Sequence, residues 1–148
     1  MPASDRVTGS GLFRLVDAVM VPVPDLDAGL SFYRDRLGHE LVWRNDPIGQ
    51  AGLRLRDSAT ELVLTTSLAY APNWLVDSTD DAVAAVVAAG GSVVSAPSDI
   101  PVGRVAVVAD PFGNELIVLD LSRGPYRTDD TGNVTGQRDT GNVINRQP

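Results

Sequence analysis

The sequence contains one helical motif twice, and this internal repeat limits the possible folds more than any other feature. The stretch VPDLDAGLSFYRDRLG begins at Val23, and VDSTDDAVAAVVAAGG begins at Val76. In this alignment Gly38 corresponds to Gly91. A chain that repeats a helix together with its stop signal is expected to repeat the supersecondary unit around that helix.

Both copies carry the signals that start and end helices. Asp25 and Ser78 stand where an N-cap residue is expected, acidic residues follow in the first turn, and Gly ends each stretch. Apolar residues recur at helical spacing and predict one buried face on each helix. These residues are Leu26, Leu30, Tyr33 and Leu37 in the first copy, and Val83, Val86 and Val87 in the second.

One strand pattern precedes each helix and three follow it. The strands predicted around the first helix are Phe13–Val23, Leu41–Arg44, Gly52–Arg56 and Glu61–Thr65. Those predicted around the second are Asn73–Val76 with some residues ahead of it, Ser92–Ser95, Gly103–Ala109 and Glu115–Leu119. The predicted fold class is therefore α+β, with two βαβββ modules at residues 13–66 and 71–121.

Two segments lie outside this repeat. Residues 1–12 form an N-terminal arm, and residues 122–148 are rich in Gly, Asn, Thr and Asp. The pentapeptide DTGNV occurs twice in the second segment, beginning at Asp130 and at Asp139. Such a composition predicts a tail that is either flexible or docked on the domain.

Composition excludes several kinds of site. The chain has no Cys and only one His, His39, which excludes thiolate chemistry and sites with several His ligands. Its formal net charge of -7 argues against a nucleic-acid partner. The longest nearly apolar run, Ala82–Ala89, is too short to span a membrane, and no N-terminal stretch resembles a signal peptide. We therefore expect a cytoplasmic protein.

The stretch VDAVMVPVPDLDAGLSFYRDRLG followed by DPFGNELIVLD resembles the vicinal oxygen chelate superfamily. This superfamily includes glyoxalase I, extradiol dioxygenases, fosfomycin-modifying enzymes and bleomycin-resistance proteins, and the resemblance covers residues 13–121. It implies a curled mixed sheet around a concave cavity, with the helices on the convex side. It also implies that the chain forms homodimers.

Metal-dependent members of that superfamily have ligands at four positions, and the resemblance places all four on aliphatic residues of this chain. The four are Ala18, Val63, Ala71 and Ile117. Aliphatic side chains offer no N, O or S donor to a cation. Glu61 and Glu115 lie two residues before Val63 and Ile117, but two carboxylates without His make a poor site for iron, nickel or zinc. We therefore expect no metal and no other cofactor.

Strand alternation predicts which side chains line the cavity. A turn at Asp57–Thr60 places Arg54 opposite Val63, and Arg56 opposite Glu61, on the cavity side. The leucines between them then face the helices. The ligand-binding residues predicted in this way are Met20, Arg54, Arg56, Glu61, Val63, Asn73, Glu115 and Ile117.

Two functions follow from this cavity. The first is a metal-free protein that binds a small organic molecule, similar to the bleomycin-resistance proteins. The second is a metal-independent isomerase, epimerase, lyase or cyclase, in which Glu61 or Glu115 transfers protons and Arg54 stabilises an oxyanion. A carboxylate in that role should be buried. The aliphatic ligand positions argue against a third function, a metal-dependent glyoxalase or dioxygenase.

Overall fold

An eight-stranded mixed sheet forms the centre of the computed structural model, which describes residues 11–124 and 126–137. The sheet strands are β1 Leu15–Pro22, β2 Leu41–Asn45, β3 Gln50–Arg54, β4 Glu61–Thr65, β5 Ala71–Leu75, β6 Ser92–Ile100, β7 Gly103–Ala109 and β8 Glu115–Asp120. The helices are α1 Leu26–Leu30, which continues as a π-helix over Ser31–Arg36, a short 3₁₀ turn at Asp46–Ile48, and α2 Thr79–Ala88. A separate hairpin follows, with β9 Tyr126–Thr128 and β10 Val134–Gln137. No helix within these described residues has the length and apolar character that crossing a membrane requires.

The strand order is β2-β3-β4-β1-β5-β8-β7-β6, which is symmetric about the junction of β1 and β5. These two strands are antiparallel, with Ala18 opposite Asn73 and Met20 opposite Ala71. In the sequence repeat Ala18 is equivalent to Ala71, and Met20 is equivalent to Asn73. If the two halves are exchanged, each of these two pairs is therefore converted into the other. The sequence repeat thus appears in the sheet as an approximate twofold axis, and the predicted α+β fold class is confirmed.

Both helices pack on the same face of the sheet. Leu26 and Leu30 of α1 contact Leu53 and Leu64 in the first half. In the second half Ala82 of α2 contacts a second cluster, which contains Val76, Ala106, Val108 and Val118. The opposite face carries the remaining core cluster, and we call it the helix-free face.

The helix caps are as predicted, but two residues expected on the buried faces are exposed. Asp25 accepts a hydrogen bond from the backbone N–H of Ala28 at 2.7 Å, and Ser78 accepts one from Asp81 at 3.2 Å. Leu37 is 53% exposed because the π-helical turns before it are wider than α-helical turns and rotate it away from the sheet. Val87, in the last turn of α2, is also exposed.

The predicted pairing of β3 with β4 was wrong by two residues. Gly52, and not Arg54, lies opposite Val63, and Arg54 lies opposite Glu61. The indole of Trp43 on β2 covers Gly52 so closely that a Cβ there would overlap the ring. Only Gly fits beneath this indole, so an arginine could not take the place opposite Val63. The connection to β4 is accordingly a longer loop over residues 55–60.

The hairpin formed by residues 126–137, which we call the strap, packs on the helix-free face. The Tyr126 ring lies 4.9 Å from the Trp43 ring, centroid to centroid, and is buried. The backbone N–H of Arg44 donates to the carbonyl of Gly132 at 2.7 Å, so the strap also covers the outer edge of β2. The strap therefore contacts the sheet through Tyr126, Gly132 and Asn133. The second DTGNV copy and most of the N-terminal arm lie outside the described residues.

Asp120 joins three parts of the fold. Its buried carboxylate accepts hydrogen bonds from the backbone N–H of Thr79 at 2.9 Å, the backbone N–H of Arg104 at 3.1 Å and the hydroxyl of Ser122 at 2.7 Å. Burial alone would raise the pKa of Asp120, but these hydrogen bonds together lower that pKa below its ordinary value. The charged carboxylate therefore holds the start of α2, the start of β7 and the chain leading to the strap.

Replacing Asp120 by Asn should lower the free energy of unfolding by about 1–3 kcal/mol near neutral pH, because a charged acceptor is lost and an amide N–H₂ then faces the donors. The folded pKa of Asp120 is below the unfolded value of about 3.9, so its contribution is complete above that value. It is lost as the pH falls through the folded pKa. Urea unfolding at several pH values measures the difference in the free energy of unfolding between wild type and Asp120→Asn. The control is Asp130→Asn, which changes an exposed residue. A difference between wild type and Asp120→Asn that does not change with pH would contradict a role for the charge.

Replacing Gly52 by Ala should destabilise the protein by about 1–3 kcal/mol, because the added methyl group has no space beneath Trp43. The indole must then move away from Tyr126, which should also change the tryptophan fluorescence. Urea unfolding followed by circular dichroism and by fluorescence measures both effects. Unchanged stability and unchanged fluorescence would show that Trp43 does not depend on the glycine.

Candidate functional site

The four positions that the resemblance relates to metal ligands lie on the four central strands of the sheet. Ala18 and Val63 are almost fully buried, whereas Ala71 and Ile117 are half-buried. Among residues 11–124 and 126–137 there is no group of three or more His, Cys, Asp or Glu side chains that could hold a metal ion. The donor atoms present at this place therefore do not fit the metal that the resemblance implies.

Glu61 is a buried carboxylate on the helix-free face. Glu61 lies opposite Ala18, and the residue is only 7% exposed. Its Oε1 accepts a hydrogen bond of 2.8 Å from Nε1 of Trp43. Trp43 reaches this carboxylate because Gly52, on the strand between them, allows the indole to lie flat across the sheet. The carboxylate is thus held in one orientation by a ring that is itself buried.

Asn73 flanks Ala18 on the other side. Pairing places Glu61, Ala18 and Asn73 in one row across β4, β1 and β5. The Oδ1 atom of Asn73 is buried and has no hydrogen-bond partner within the described residues. A buried amide oxygen without a partner costs free energy, so this atom is a place where the N–H or O–H of a ligand would be stabilising.

The two halves of the helix-free face differ in how they are filled. In the first half Trp43 and Tyr126 are part of a closed core. In the second half the corresponding row crosses β5, β8, β7 and β6 and remains partly exposed. It consists of Asn73, Ile117, Val107 and Ser95, and we call it the open groove. Ser95 pairs with Val107 as Trp43 pairs with Gly52, so a small hydroxyl replaces the indole.

The structure separates the predicted ligand-binding residues into three places. Met20 and Val63 belong to the closed core, and Glu61 lies beside it. Asn73 and Ile117 line the open groove. Glu115 is exposed at the start of β8.

Arg54 and Arg56 lie outside the core of the helix-free face. Arg54 is exposed and forms an ion pair with Glu40 at 3.1 Å, and Arg56 lies exposed beyond the end of β3. Both line a separate pocket at the strand ends, together with His39. The predicted register placed Arg54 opposite Val63 and Arg56 opposite Glu61, and the two-residue shift moves both arginines towards this end of the sheet.

The ligand-binding residues predicted from the sequence do not include Trp43, Tyr126 or Ser95. The position of Trp43 could have been inferred from Gly52, because a glycine inside a strand often marks the close approach of another group. Tyr126 lies outside the repeat, where no periodic pattern relates it to the sheet. Ser95 becomes meaningful only when its pairing with Val107 is known.

Several solved structures have a similar fold. The methylmalonyl-CoA epimerase from Mycobacterium tuberculosis gives a TM-score of 0.61 with 21% identity, covering 78% of this chain and 93% of that chain. A Streptomyces coelicolor methylmalonyl-CoA epimerase in complex with 2-nitronate-propionyl-CoA gives 0.58 with 20% identity, covering 74% and 94%. The Mn(II)-bound glyoxalase from Novosphingobium aromaticivorans gives 0.52 with 24% identity, covering 86% and 42%. At these identities the likeness is one of fold.

A search of curated protein sequences finds no match. The family model described as Glyoxalase/Bleomycin resistance protein/Dioxygenase superfamily matches residues 15–118, which is well over half of the chain. This match spans both halves of the sheet and both helices, and it agrees with the fold of the solved structures. The resemblance to the vicinal oxygen chelate group is thereby confirmed: the chain belongs to the Glyoxalase/Bleomycin resistance protein/Dioxygenase superfamily.

Proposed function

We propose that the protein binds a small organic molecule on its helix-free face and acts on it as a metal-independent isomerase or epimerase. Glu61 is the proton-transfer residue in this proposal. The observation that carries it is the burial of this one carboxylate beside Ala18, with its orientation fixed by Trp43. Fixed geometry and exclusion of water are what proton transfer from carbon requires of a base.

The comparison with Glu115 supports this assignment. Glu61 and Glu115 occupy equivalent positions in the two halves, since each begins the last strand of its half. Glu61 is buried and hydrogen-bonded, whereas Glu115 is exposed. A carboxylate surrounded by water is poorly positioned for catalysis, so Glu61 is the better base of the pair.

The chemistry needs a proton on a carbon next to a carbonyl group. Glu61 removes that proton, and the electron pair moves to the carbonyl oxygen as an enolate. In an isomerisation protonated Glu61 returns the proton to the neighbouring carbon, whereas in an epimerisation a proton donor on the opposite face of the enolate returns it to the same carbon. Asn73 would hold another polar group of the substrate. Adjacent strands are about 4.8 Å apart, so the row from Glu61 through Ala18 to Asn73 spans about 10 Å, the length of a small organic molecule.

Access to Glu61 requires a local movement. Ala18 is 1% exposed, and it belongs to the same cluster as Tyr126 of the strap. A substrate that lies across Ala18 therefore has to displace part of this cluster. Movement of a loop or hairpin over a site is a common step in enzyme turnover.

The solved structures of similar fold support the reaction class. Two of those described above are methylmalonyl-CoA epimerases. Their low identities give no ground for transferring the substrate itself. Arg54 has no part in the proton transfer in this proposal, because its guanidinium contacts Glu40 at the strand ends.

A second candidate function is ligand binding without chemistry, as the similarity to bleomycin-resistance proteins suggests. The open groove favours it, because its four residues are uncharged: Ser95 is exposed, and Asn73, Val107 and Ile117 are partly exposed. Such a surface suits an apolar ligand with a few hydrogen-bonding groups.

Replacing Glu61 by Gln should abolish proton transfer while keeping the shape of the site. We expect a loss of at least about 100-fold in the rate, because the base is removed. Mass spectrometry of deuterium uptake from heavy water measures this on a panel of small carbonyl compounds with an acidic C–H bond, methylmalonyl-CoA among them. Glu115→Gln is the matched control and should exchange at the wild-type rate. Equal exchange by wild type and Glu61→Gln would contradict the assignment.

Replacing Ser95 by Trp should close the open groove as Trp43 closes the other half. Compounds that raise the melting temperature of the wild-type protein in a thermal-shift screen should lose this effect in Ser95→Trp, because the indole fills their space. They should keep it in Glu61→Gln if binding does not need the carboxylate. Compounds that stabilise Ser95→Trp as well as wild type would place the binding site elsewhere.

A further inference from the structure

A second pocket lies at the strand ends of the first half, outside the helix-free core. Its volume is about 210 Å³, which is below the roughly 300–1,000 Å³ of pockets for drug-sized ligands and limits it to a smaller molecule. The lining residues come from the turn after the first helix and from the end of β3. They are Leu37, Gly38, His39, Glu40, Arg54, Leu55 and Arg56.

The pocket has an excess of positive charge in a protein whose net charge is -7. Arg54 donates from Nε to Glu40 at 3.1 Å, and its Nη nitrogens make no hydrogen bond within the described residues. The side chain of Arg56 has neither an ion pair nor a hydrogen bond within the same part of the chain. One carboxylate thus faces two guanidinium groups. The remaining donors point to an anionic partner.

The backbone fixes the third polar group of the pocket. The backbone N–H of His39 donates to the carbonyl of Tyr33 at 3.1 Å, and Gly38, with a φ of 85°, makes the turn that this requires. The Nδ1 atom of His39 then lies 3.1 Å from the carbonyl oxygen of Arg54. The imidazole is therefore held against the same strand end that carries the two arginines.

Two leucines form the apolar part of the pocket lining. Leu37 is 53% exposed, and Leu55 is half-buried in the loop after β3. An exposed leucine beside two arginines offers an aliphatic surface next to a charged one. A ligand that uses both surfaces would have a short hydrocarbon part attached to an anionic group.

We propose that this pocket binds the carboxylate or phosphate group of a small organic anion, whose hydrocarbon part lies against Leu37 and Leu55. The planar guanidinium groups of Arg54 and Arg56 donate paired hydrogen bonds to the oxyanion, an arrangement that carboxylates and phosphates accept well. This site is independent of the proton transfer assigned to Glu61. It stands even if that assignment fails.

The single histidine makes a direct test possible. His39 is the only His of the chain, so its imidazole signals in a proton NMR spectrum need no assignment. Inorganic phosphate and hexanoate are titrated separately at low ionic strength, since salt screens such contacts. We expect a saturable shift of the His39 signals with at least one of the two anions. The stronger of them identifies the preferred oxyanion.

Arginine variants and a neutral ligand test the recognition. Arg56→Gln should weaken binding about tenfold, because a charge-assisted contact is lost. Arg127→Gln, which removes an exposed arginine of the strap, is the matched control and should bind as wild type. The absence of a saturable shift with either anion would overturn the proposal. So would equal affinity of Arg56→Gln and wild type, or equal binding of the uncharged hexanol.

Discussion

The antiparallel pairing of β1 with β5 is the contact on which the rest of the structure depends. It joins the two halves of the repeat, with Ala18 opposite Asn73 and Met20 opposite Ala71. Each of these strands also pairs in parallel with the last strand of its own half, so β4, β1, β5 and β8 lie side by side. The pairing therefore brings residues far apart in sequence, such as Glu61, Ala18 and Asn73, into one row at the centre of the helix-free face.

The repeat supplies the symmetry, and a few residues break it. Gly52 accepts the indole of Trp43, and Tyr126 from the strap covers that indole, so the first half becomes core. Burial of each large aromatic side chain stabilises the fold by roughly 1.5–3 kcal/mol. In the second half Val107 and Ser95 take the same places in the pairing, and neither is aromatic. The row that contains Trp43 and Gly52 is thus closed, whereas the row that contains Ser95 and Val107 stays partly exposed, although Leu75 and Leu119 of the second half also belong to the core.

The repeat allowed the element order, the helix caps and the face of most strand residues to be predicted from the sequence. Alternation correctly assigned Met20 to the helix-free face and Leu53 to the helices. It could not set the register of β3, because leucine opposite leucine satisfies both possible pairings and only the unseen contact of Trp43 with Gly52 decides between them. The docking of the strap could not be predicted from the sequence either. A short, polar segment docks through one buried tyrosine and edge hydrogen bonds, and neither leaves a periodic pattern.

The pairing of Arg54 with Glu61 shows how the fold separates two kinds of chemistry. Opposite charges on directly paired residues would ordinarily contact each other. Here Glu61 accepts its hydrogen bond from Trp43 inside the sheet, and Arg54 turns outward to Glu40. Each charge has a different partner, and the carboxylate is buried, as the proposed proton transfer requires. The guanidinium remains in a solvent-accessible place suited to holding an anion.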